Sequence, residues 1–508
     1  MRTLFTRFSI TISALIFMSA TANAADITIL VGTKKSEAYQ FAKSKANKKT
    51  VFSAKSLSKA FSLAGKELID CKTCTVNIKI ASGDFLGKGK TGHWMFPDVI
   101  VPDARLRILG GYDDSFTTRS PFENQTRLIT VDPRGRSVLK FEGKKHALKE
   151  LYLSGLTFDV APGNNYDAKN NSLHKGSSSS FSVIAFGYLT TDRLVVADNT
   201  FLNAANSVAG PLVRAMSANA EVIIRNNMLL NNIHAWTVGS ASFRNQLKRY
   251  ALINNSFILN WPYNPSPTTS NPGTLEIGNK YSASEVEISK NLFAYNAGGA
   301  IHAQWDDVKG PPMMVTENLF WGNGALFDTS DPEDAAVLGK FNGSPKYVLL
   351  TADDAEEFEW DVADNVSFDP GLKVQVKPFQ AAGSSKAVIA AGASAPVVDA
   401  SSKPAAVSAE AVDPVMAEFA ALLGDDAIAD VASTSEQPSE LADAEFIPVD
   451  PLIDDLGNED FAELGFGDDG DVQIQGFATR LYVDGKLPFP SNPDAVAYGA
   501  NASHVEQF

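Results

Sequence analysis

The chain has 508 residues, and its excess of acidic side chains gives a net charge of −15. The charge is uneven, because residues 32–150 carry 23 basic against 12 acidic side chains, whereas residues 381–508 carry 4 against 23. The acidic total and the lack of a recognition motif argue against a nucleic-acid-binding protein. A basic front and an acidic tail favour attraction to each other or to other polyions.

Residues 1–24 have the pattern of a secretory signal peptide. Arg2 and Arg7 precede an apolar run, Phe8 to Ala20, that is too short to span a bilayer, and ANA (22–24) fits the small-x-small cleavage rule. The alternative is an N-terminal membrane anchor. We expect a mature protein of about 480 residues without a membrane span, long enough for a large core. It is predicted to be a secreted or periplasmic monomer from a Gram-negative type bacterium.

Residues 25–74 are predicted to hold a capping helix. Thr50 to Leu68 has apolar residues at helical spacing and lysines on the opposite side. The apolar positions are Leu57, Ala60, Phe61, Ala64 and Leu68. A short helix here would cover the open first rung of a strand stack, whose apolar end is otherwise exposed.

The two cysteines of the chain, Cys71 and Cys74, are separated by two residues. In an exported protein this spacing favours a small disulfide loop. A thioredoxin-like redox motif is the alternative, but the surroundings of such a motif are missing. Two cysteines without a nearby histidine are too few for a zinc site.

A motif with a central asparagine recurs six times, from VADNTF (196–201) to VADNVS (362–367). A β-branched or apolar run leads into the asparagine, and an apolar residue usually follows two places later. The shared positions are Asn199, Asn227, Asn255, Asn291, Asn318 and Asn365. Their spacings of 28, 28, 36, 27 and 47 residues indicate a repeat architecture, in which stacked units bury a continuous core.

The asparagines are interpreted as structural. Asparagine tolerates left-handed backbone angles, and stacked asparagine side chains form hydrogen-bonded ladders. A second strand is predicted in each unit, at SVIAF (182–186), PLVRA (211–215), WTVGS (236–240), TLEIG (274–278) and AIHAQ (300–304). The two stretched intervals hold loops at 260–273 and 328–359, and long loops on a rigid stack usually carry binding groups. A leucine-rich horseshoe would need a denser leucine pattern.

The C-terminal part differs in composition. Residues 381–470 are rich in Ala, Ser, Asp and Glu and are predicted to be an acidic, partly disordered insertion or linker. Apolar order returns at 472–490, so that residues 471–508 are expected to form closing strands and a tail. The acidic strings at 454–460 and 467–471 suit either a solvated tail or Ca²⁺, although neither fits an EF-hand loop.

The asparagine repeats resemble those of the right-handed parallel β-helix, or pectate-lyase-like, superfamily of exported bacterial proteins. LGGYDDSF (109–116) is similar to a segment near the start of such proteins. DPGLKV (369–374), SSKAVIAAGAS (384–394), VDGKLPFP (483–490) and YGAN (498–501) resemble their closing rungs. The resemblance implies an all-β solenoid, a right-handed single-stranded parallel β-helix over residues 75–380. This superfamily hosts lyases, hydrolases, epimerases, adhesins and inert surface proteins, so the fold leaves the activity open.

No active-site signature of a β-helix enzyme is found in the sequence. It lacks a GHG with paired aspartates, a DPHE, a WIDH and a G-x-S-x-G motif. A candidate site follows from strand alternation instead, since residues that alternate with inward apolar ones face outward. This places Arg214, Glu276 and His302 along one outer column of stacked rungs. The alternative is that these are ordinary polar residues on a solvated face.

An elimination on a uronic acid needs a cation for the carboxylate and a base for the adjacent proton. Arg214, or a Ca²⁺ held by Asp306 and Asp307, is the candidate for the first role, and His302 for the second. Trp261, Tyr263 and Trp305 are predicted to bind sugar faces, although rung-edge packing is the alternative.

Two functions follow as hypotheses. One is an exported protein that binds a polysaccharide or cell-surface glycan and cleaves it by β-elimination. The other is a non-catalytic structural or adhesive surface protein, which the missing enzyme signatures and the acidic Ala-rich segment favour.

Overall fold

A computed structural model describes much of the chain between Asp26 and Phe508. The described residues are 26–86, 94–129, 137–141, 146–159, 166–167, 172–173, 183–186, 189–202, 220–232, 236–238, 247–260, 273–277, 285–296, 299–304, 313–323, 338–341, 344–347, 360–372, 379–380, 387–388 and 487–508.

The longest sheet, called here the first sheet, has eleven parallel strands. In spatial order they are Val51–Ala54, Ile27–Val31, Thr75–Ala81, Val99–Tyr112, His146–Ser154, Leu189–Ala197, Glu221–Arg225, Arg249–Ile253, Val286–Ser289, Met313–Thr316 and Trp360–Ala363. The strands are short runs of β-branched and aliphatic residues, and alternate positions enter one buried core.

The second sheet is also parallel and contains eight strands. These are Gly83–Leu86, Thr126–Ile129, Leu156–Asp159, Thr200–Leu202, Met228–Leu230, Ser256–Ile258, Leu292–Ala294 and Leu319–Trp321. Each follows a first-sheet strand in the chain. Each also pairs with the second-sheet strand of the preceding coil, of the following coil, or of both.

Third strands complete the coils. Trp94–Met95, Leu139–Lys140 and Ile184–Ala185 form one parallel group, and Trp236–Val238, Gly273–Ile277, Gly299–Gln304 and Leu338–Phe341 form another, called here the third sheet. Ser344–Tyr347 adds to the third sheet in antiparallel orientation. Two small antiparallel pairs lie outside these sheets, Tyr166–Asp167 with Ser172–Leu173 and Phe379–Gln380 with Ala387–Val388. The chain therefore coils as an all-β parallel solenoid, as the repeats predicted.

Two helices lie near the start of the described chain. Helix α1 spans Glu37–Lys45 and was not predicted, and helix α2 spans Leu57–Cys71 with Ser56 as its N-cap. The predicted helix from Thr50 is wrong at its start, because Val51–Ala54 is a strand that pairs with Ile27–Val31. Its β-branched Val51 suits that pairing, and tertiary pairing outweighs the helical spacing. The buried face of α2 belongs to the core of the coils.

Aromatic rings stack inside the coils. Phe257 and Phe293 lie 4.7 Å apart between ring centroids and are nearly parallel, and Phe293 and Phe320 lie 5.2 Å apart. All three side chains are buried. Successive coils therefore place equivalent residues above one another, and this stacking fixes the register of the solenoid.

The six repeat asparagines form a continuous ladder at the corner between the first and second sheets. The Oδ1 atom of Asn255 accepts hydrogen bonds from the backbone N and the Nδ2 of Asn227, at 3.0 and 2.9 Å. The same pair of bonds links each neighbouring asparagine from Asn199 to Asn365. The ladder confirms the structural interpretation.

The left-handed backbone lies one residue earlier than the interpretation assumed. Positive φ angles of 54–57° fall on the residues that precede the ladder asparagines, including Lys290 and Glu317. The ladder positions require asparagine for its buried amide group. The left-handed position before it is occupied by Asp, Asn, Lys or Glu and therefore requires no particular residue.

A second asparagine ladder runs along the far end of the second-sheet strands and was not predicted. It consists of Asn232, Asn260, Asn296 and Asn323, joined by the same pairs of bonds. Each lies five residues after a ladder asparagine of the first corner. That offset was visible in the sequence and would have revealed the second corner.

Several predicted features lie outside the described residues. These are the signal peptide, most of the 260–273 and 328–359 loops, and nearly all of the 381–470 segment. No helix in the described part of the chain is long and apolar enough to cross a membrane.

Candidate functional site

Two members of the predicted column, Glu276 and His302, occupy paired positions of the third sheet. Thr237 pairs with Glu276, and Glu276 pairs with His302 in the next parallel strand. Adjacent strands lie about 4.8 Å apart, so these positions are direct neighbours along the solenoid axis. Leu275 and Ile301, which precede them in the chain, are fully buried. The sequence therefore found two positions that the fold brings together.

The other predicted site residues cannot be placed beside this pair. Arg214, Trp261, Tyr263, Trp305, Asp306 and Asp307 lie outside the described residues. Within the described ranges, no cluster of three or more His, Cys, Asp or Glu side chains is arranged to hold a metal ion. Cys71 and Cys74 are joined as a disulfide at the end of α2, in agreement with the sequence.

The outer face of the first sheet carries a ladder of alternating charges. In the strand register Arg105 pairs with Glu150, Glu150 with Arg193, Arg193 with Glu221, and Glu221 with Arg249. Arg193 contacts Glu150 at 2.9 Å, and Lys248 contacts Glu221 at 2.8 Å. Opposite charges on neighbouring strands stabilise the sheet by roughly 0.2–1 kcal/mol per pair. This face is largely neutralised by the chain itself.

The ion pairs shift the pKa values of their members. A hydrogen bond from Lys248 holds the pKa of Glu221 below its usual value. A hydrogen bond to Glu287 raises the pKa of Arg249. Both shifts favour the charged forms, which is what a structural ion pair requires and what a general acid or base would avoid.

The C-terminal segment Leu487–Phe508 covers the outer face of the second sheet. Ala495 and Ala500 are buried in an apolar cluster with second-sheet side chains that point away from the core. Those side chains are Leu202, Met228, Leu230, Ile258, Leu292, Ala294 and Leu319. Phe489 and Tyr498 pack against the same cluster. A surface that would otherwise be a long apolar stripe is therefore covered by the chain's own end.

The end of this segment reaches the first coils. Glu506 accepts a hydrogen bond from the Tyr152 hydroxyl at 2.7 Å and pairs with Arg225 at 2.6 Å. The Phe508 ring packs edge-on against Tyr152, with a centroid distance of 5.1 Å. Arg107 and Arg119 lie over the same ring at 5.5 and 5.7 Å. Burial raises the pKa of Tyr152 and keeps its hydroxyl a hydrogen-bond donor.

A buried ion pair supports this contact. Arg119 and Asp198 are both almost fully buried, and their side chains meet at 3.3 Å. Ser154 donates to Asp198 at 2.7 Å and contacts Arg119, whose Nε donates to the Gly110 carbonyl. Arg119 also donates to the Glu506 carbonyl at 2.6 Å. Because its donors are satisfied, Arg119 anchors the corner and offers no free charge for chemistry.

One histidine is buried without a hydrogen bond to either ring nitrogen. His146 packs against Phe96 and Phe141, with centroid distances of 6.4 and 6.2 Å. Its Nε2 lies 3.5 Å from Asp98, but burial is the larger influence and lowers the pKa of His146. The ring acts as an apolar core group at neutral pH.

Sequence reasoning missed the buried Arg119 and the docking of residues 487–508. The opposite charges of residues 32–150 and 381–508 were the one available signal, but the Glu506 carboxylate meets Arg225, which lies outside 32–150, and Arg119 contacts the Glu506 backbone carbonyl. The apolar part of the contact had no such signal.

Comparison of the chain with protein-family models, with curated proteins and with solved structures finds no match.

Proposed function

We propose that this chain is an exported member of the pectate-lyase-like β-helix superfamily that binds an extracellular or cell-wall polysaccharide and cleaves it by β-elimination. The binding face is the outer side of the third sheet. The observation that carries the proposal is the pairing of Glu276 with His302 on adjacent coils. A histidine with a carboxylate at the neighbouring position of a rigid sheet suits proton removal, because an adjacent negative charge makes the imidazole a stronger base.

The other two faces are engaged within the chain itself, one by a covering segment and one by ion pairs. Residues 487–508 cover the second sheet, and the charge ladder of the first sheet is internally paired. This favours the third sheet as the face that meets a partner.

In the proposed reaction His302 removes the proton next to the uronate carboxylate. The electron pair of the broken C–H bond forms the carbon–carbon double bond, the glycosidic C–O bond breaks, and its oxygen leaves with a proton taken from water. Arg214, or a Ca²⁺ bound by Asp306 and Asp307, neutralises the carboxylate, and Trp261, Tyr263 and Trp305 contact the sugar faces. Glu276 borders His302 in the strand register.

Export and capping complete the proposal. Residues 1–24 direct secretion, the coils wind with a right hand, and the protein acts as a monomer. Helix α2, whose buried side chains join the core near the first strands, covers the open end of the stack.

The cleavage reaction is tested with a panel of uronate polysaccharides. The purified mature protein is incubated with each, with Ca²⁺ or with a chelator, and the unsaturated product is followed by ultraviolet absorbance. We expect product from at least one polysaccharide and a rate at least about 100-fold lower for His302→Ala. Lys248→Gln, at an exposed site of the first sheet, is the matched control and should leave the rate unchanged. Absence of product with every polysaccharide would exclude the lyase activity.

A second candidate is a non-catalytic structural or adhesive surface protein. The self-covered second sheet and the internally paired first sheet favour it, because both build a long, stable and inert rod. Binding of the whole protein to cell surfaces or glycans, without any product in the absorbance assay, would support this candidate.

A further inference from the structure

The segment 487–508 contacts the solenoid in the manner of a bound peptide. It contains no β-strand and only two short turns of 3₁₀ helix, Pro493–Ala495 and Ala502–His504. It crosses the coils over the outer face of the second sheet and the corner between the second and first sheets, a surface called here the corner groove. Three separate sets of specific contacts hold it there.

The first set lies at the last coil of the repeat region. Asn492 donates through its backbone N to the Pro370 carbonyl at 3.2 Å and through Nδ2 to the Asp369 carbonyl at 2.9 Å. The Ser491 hydroxyl donates to the Gly371 carbonyl at 2.6 Å. Side chains of the segment thus satisfy backbone carbonyls of the solenoid.

The second set spans three successive coils. The backbone N atoms of Gly499, Ala500 and Asn501 donate to the Lys290 carbonyl, the Ser256 hydroxyl and the Asn226 side-chain oxygen, at 2.8, 2.8 and 2.6 Å. Each acceptor belongs to a different coil. The segment therefore runs across the strands, and each of these three residues makes one hydrogen bond to a different coil.

Gly499 makes this set specific. Its φ angle is +77°, which side-chain-bearing residues rarely adopt. An added Cβ would lie against the Ser256 hydroxyl and 2.8 Å from the Leu292 Cβ. Only a glycine fits this point of the groove.

The third set is a cationic and aromatic receptacle at the first coils. Arg225 and Tyr152 bind the Glu506 carboxylate, while Arg107, Arg119 and Tyr152 surround the Phe508 ring. Lys79 donates to the Phe508 backbone oxygen at 2.9 Å. The solenoid therefore provides a partner for both the Glu506 carboxylate and the Phe508 ring.

We propose that the corner groove is a peptide-binding site that recognises this segment as a separable ligand and is filled by the chain's own residues 487–508. Recognition requires a glycine at position 499, then an acidic and an aromatic residue seven and nine places later. The site lies away from the third sheet, so this proposal is independent of the polysaccharide activity. In the sequence, the 114 residues 373–486 separate the segment from the last coil.

The test uses the full chain carrying Gly499→Val, which expels its own segment. A fluorescent peptide of residues 487–508 is titrated against it, and anisotropy is recorded. We expect saturable binding, at least about tenfold weaker binding to the unmodified chain, whose groove is filled, and the same loss for peptides carrying Gly499→Val or Glu506→Gln. Equal binding of the Gly499→Val peptide, or no binding by a Gly499→Val chain with unchanged circular dichroism, would overturn the proposal.

A second measurement does not depend on the folding of that variant. A protease site is inserted into the Ala-rich stretch 381–470 of the full chain, and the cleaved protein is mixed with excess fluorescent peptide. We expect the released segment to stay bound and co-elute until the peptide replaces it. A cleaved protein that aggregates, or a segment that never exchanges, would show that residues 487–508 are an integral part of the folded core. Dimers formed between labelled unmodified chains and Gly499→Val chains would identify exchange between copies.

Discussion

Replacing Asn255 by alanine removes a central rung of the first asparagine ladder. The Oδ1 atom of Asn255 accepts from the backbone N and Nδ2 of Asn227, and both residues are fully buried. Alanine therefore leaves two buried donors without acceptors. At about 1–3 kcal/mol for each unsatisfied buried group, the free energy of unfolding should fall by about 2–6 kcal/mol.

The matched control is the same substitution at the last described rung. Asn365 accepts the same two bonds from Asn318 but is only half-buried, so water can replace its oxygen. We expect Asn365→Ala to cost about 1 kcal/mol.

Urea denaturation followed by circular dichroism compares the two variants, and native-state hydrogen exchange reports the Asn227 amide. Solenoids can unfold coil by coil, so exchange locates the loss and denaturation measures its size. Exchange at Asn227 should accelerate in Asn255→Ala only. Equal losses for the two variants, or unchanged exchange at Asn227, would refute the view that the buried ladder stabilises the corner.

Three further predictions concern the core and the buried charges. Arg119→Met leaves Asp198 buried without its partner and should cost about 3–5 kcal/mol in thermal or urea unfolding, whereas Arg193→Met on the exposed face should cost less than about 1 kcal/mol. Phe293→Ala opens a cavity in the ring stack and should cost about 3–5 kcal/mol in the same assay. Burial lowers the pKa of His146, so the unfolded chain binds its proton first and stability falls as pH drops below about 6.5. His146→Leu should flatten the dependence of the unfolding midpoint between about pH 7 and pH 5, and an unchanged slope would contradict this assignment.

The sequence predicted those parts of the fold that repeat. A strand, an asparagine and a second strand recur at a near-constant period, and equivalent residues of each repeat occupy the same local environment in the coils. The predicted neighbours Glu276 and His302 follow from that regularity, because stacked coils keep equivalent positions in register.

The sequence could not predict features that depend on distant pairing. Val51–Ala54 has helical spacing next to it and becomes a strand only because Ile27–Val31 is available as a partner. The docking of residues 487–508 joins Phe508 to Lys79 and Arg107, contacts that no local pattern contains. The need for glycine at position 499 comes from the Ser256 and Leu292 atoms beside it, which leave no room for a Cβ.

The adjacency of Glu276 and His302 in the third sheet is tested most directly with an engineered metal site. Glu276→His would place two imidazoles at paired positions of neighbouring strands, about 5 Å apart, where they can share one Cu²⁺ or Ni²⁺. Calorimetric titration of the full chain should show one new metal site that His302→Ala abolishes in the same background. The control Ile277→His shifts the new imidazole by one position and should bind no better than the unmodified chain. Equal binding by both histidine variants, or no binding by Glu276→His, would contradict the proposed site.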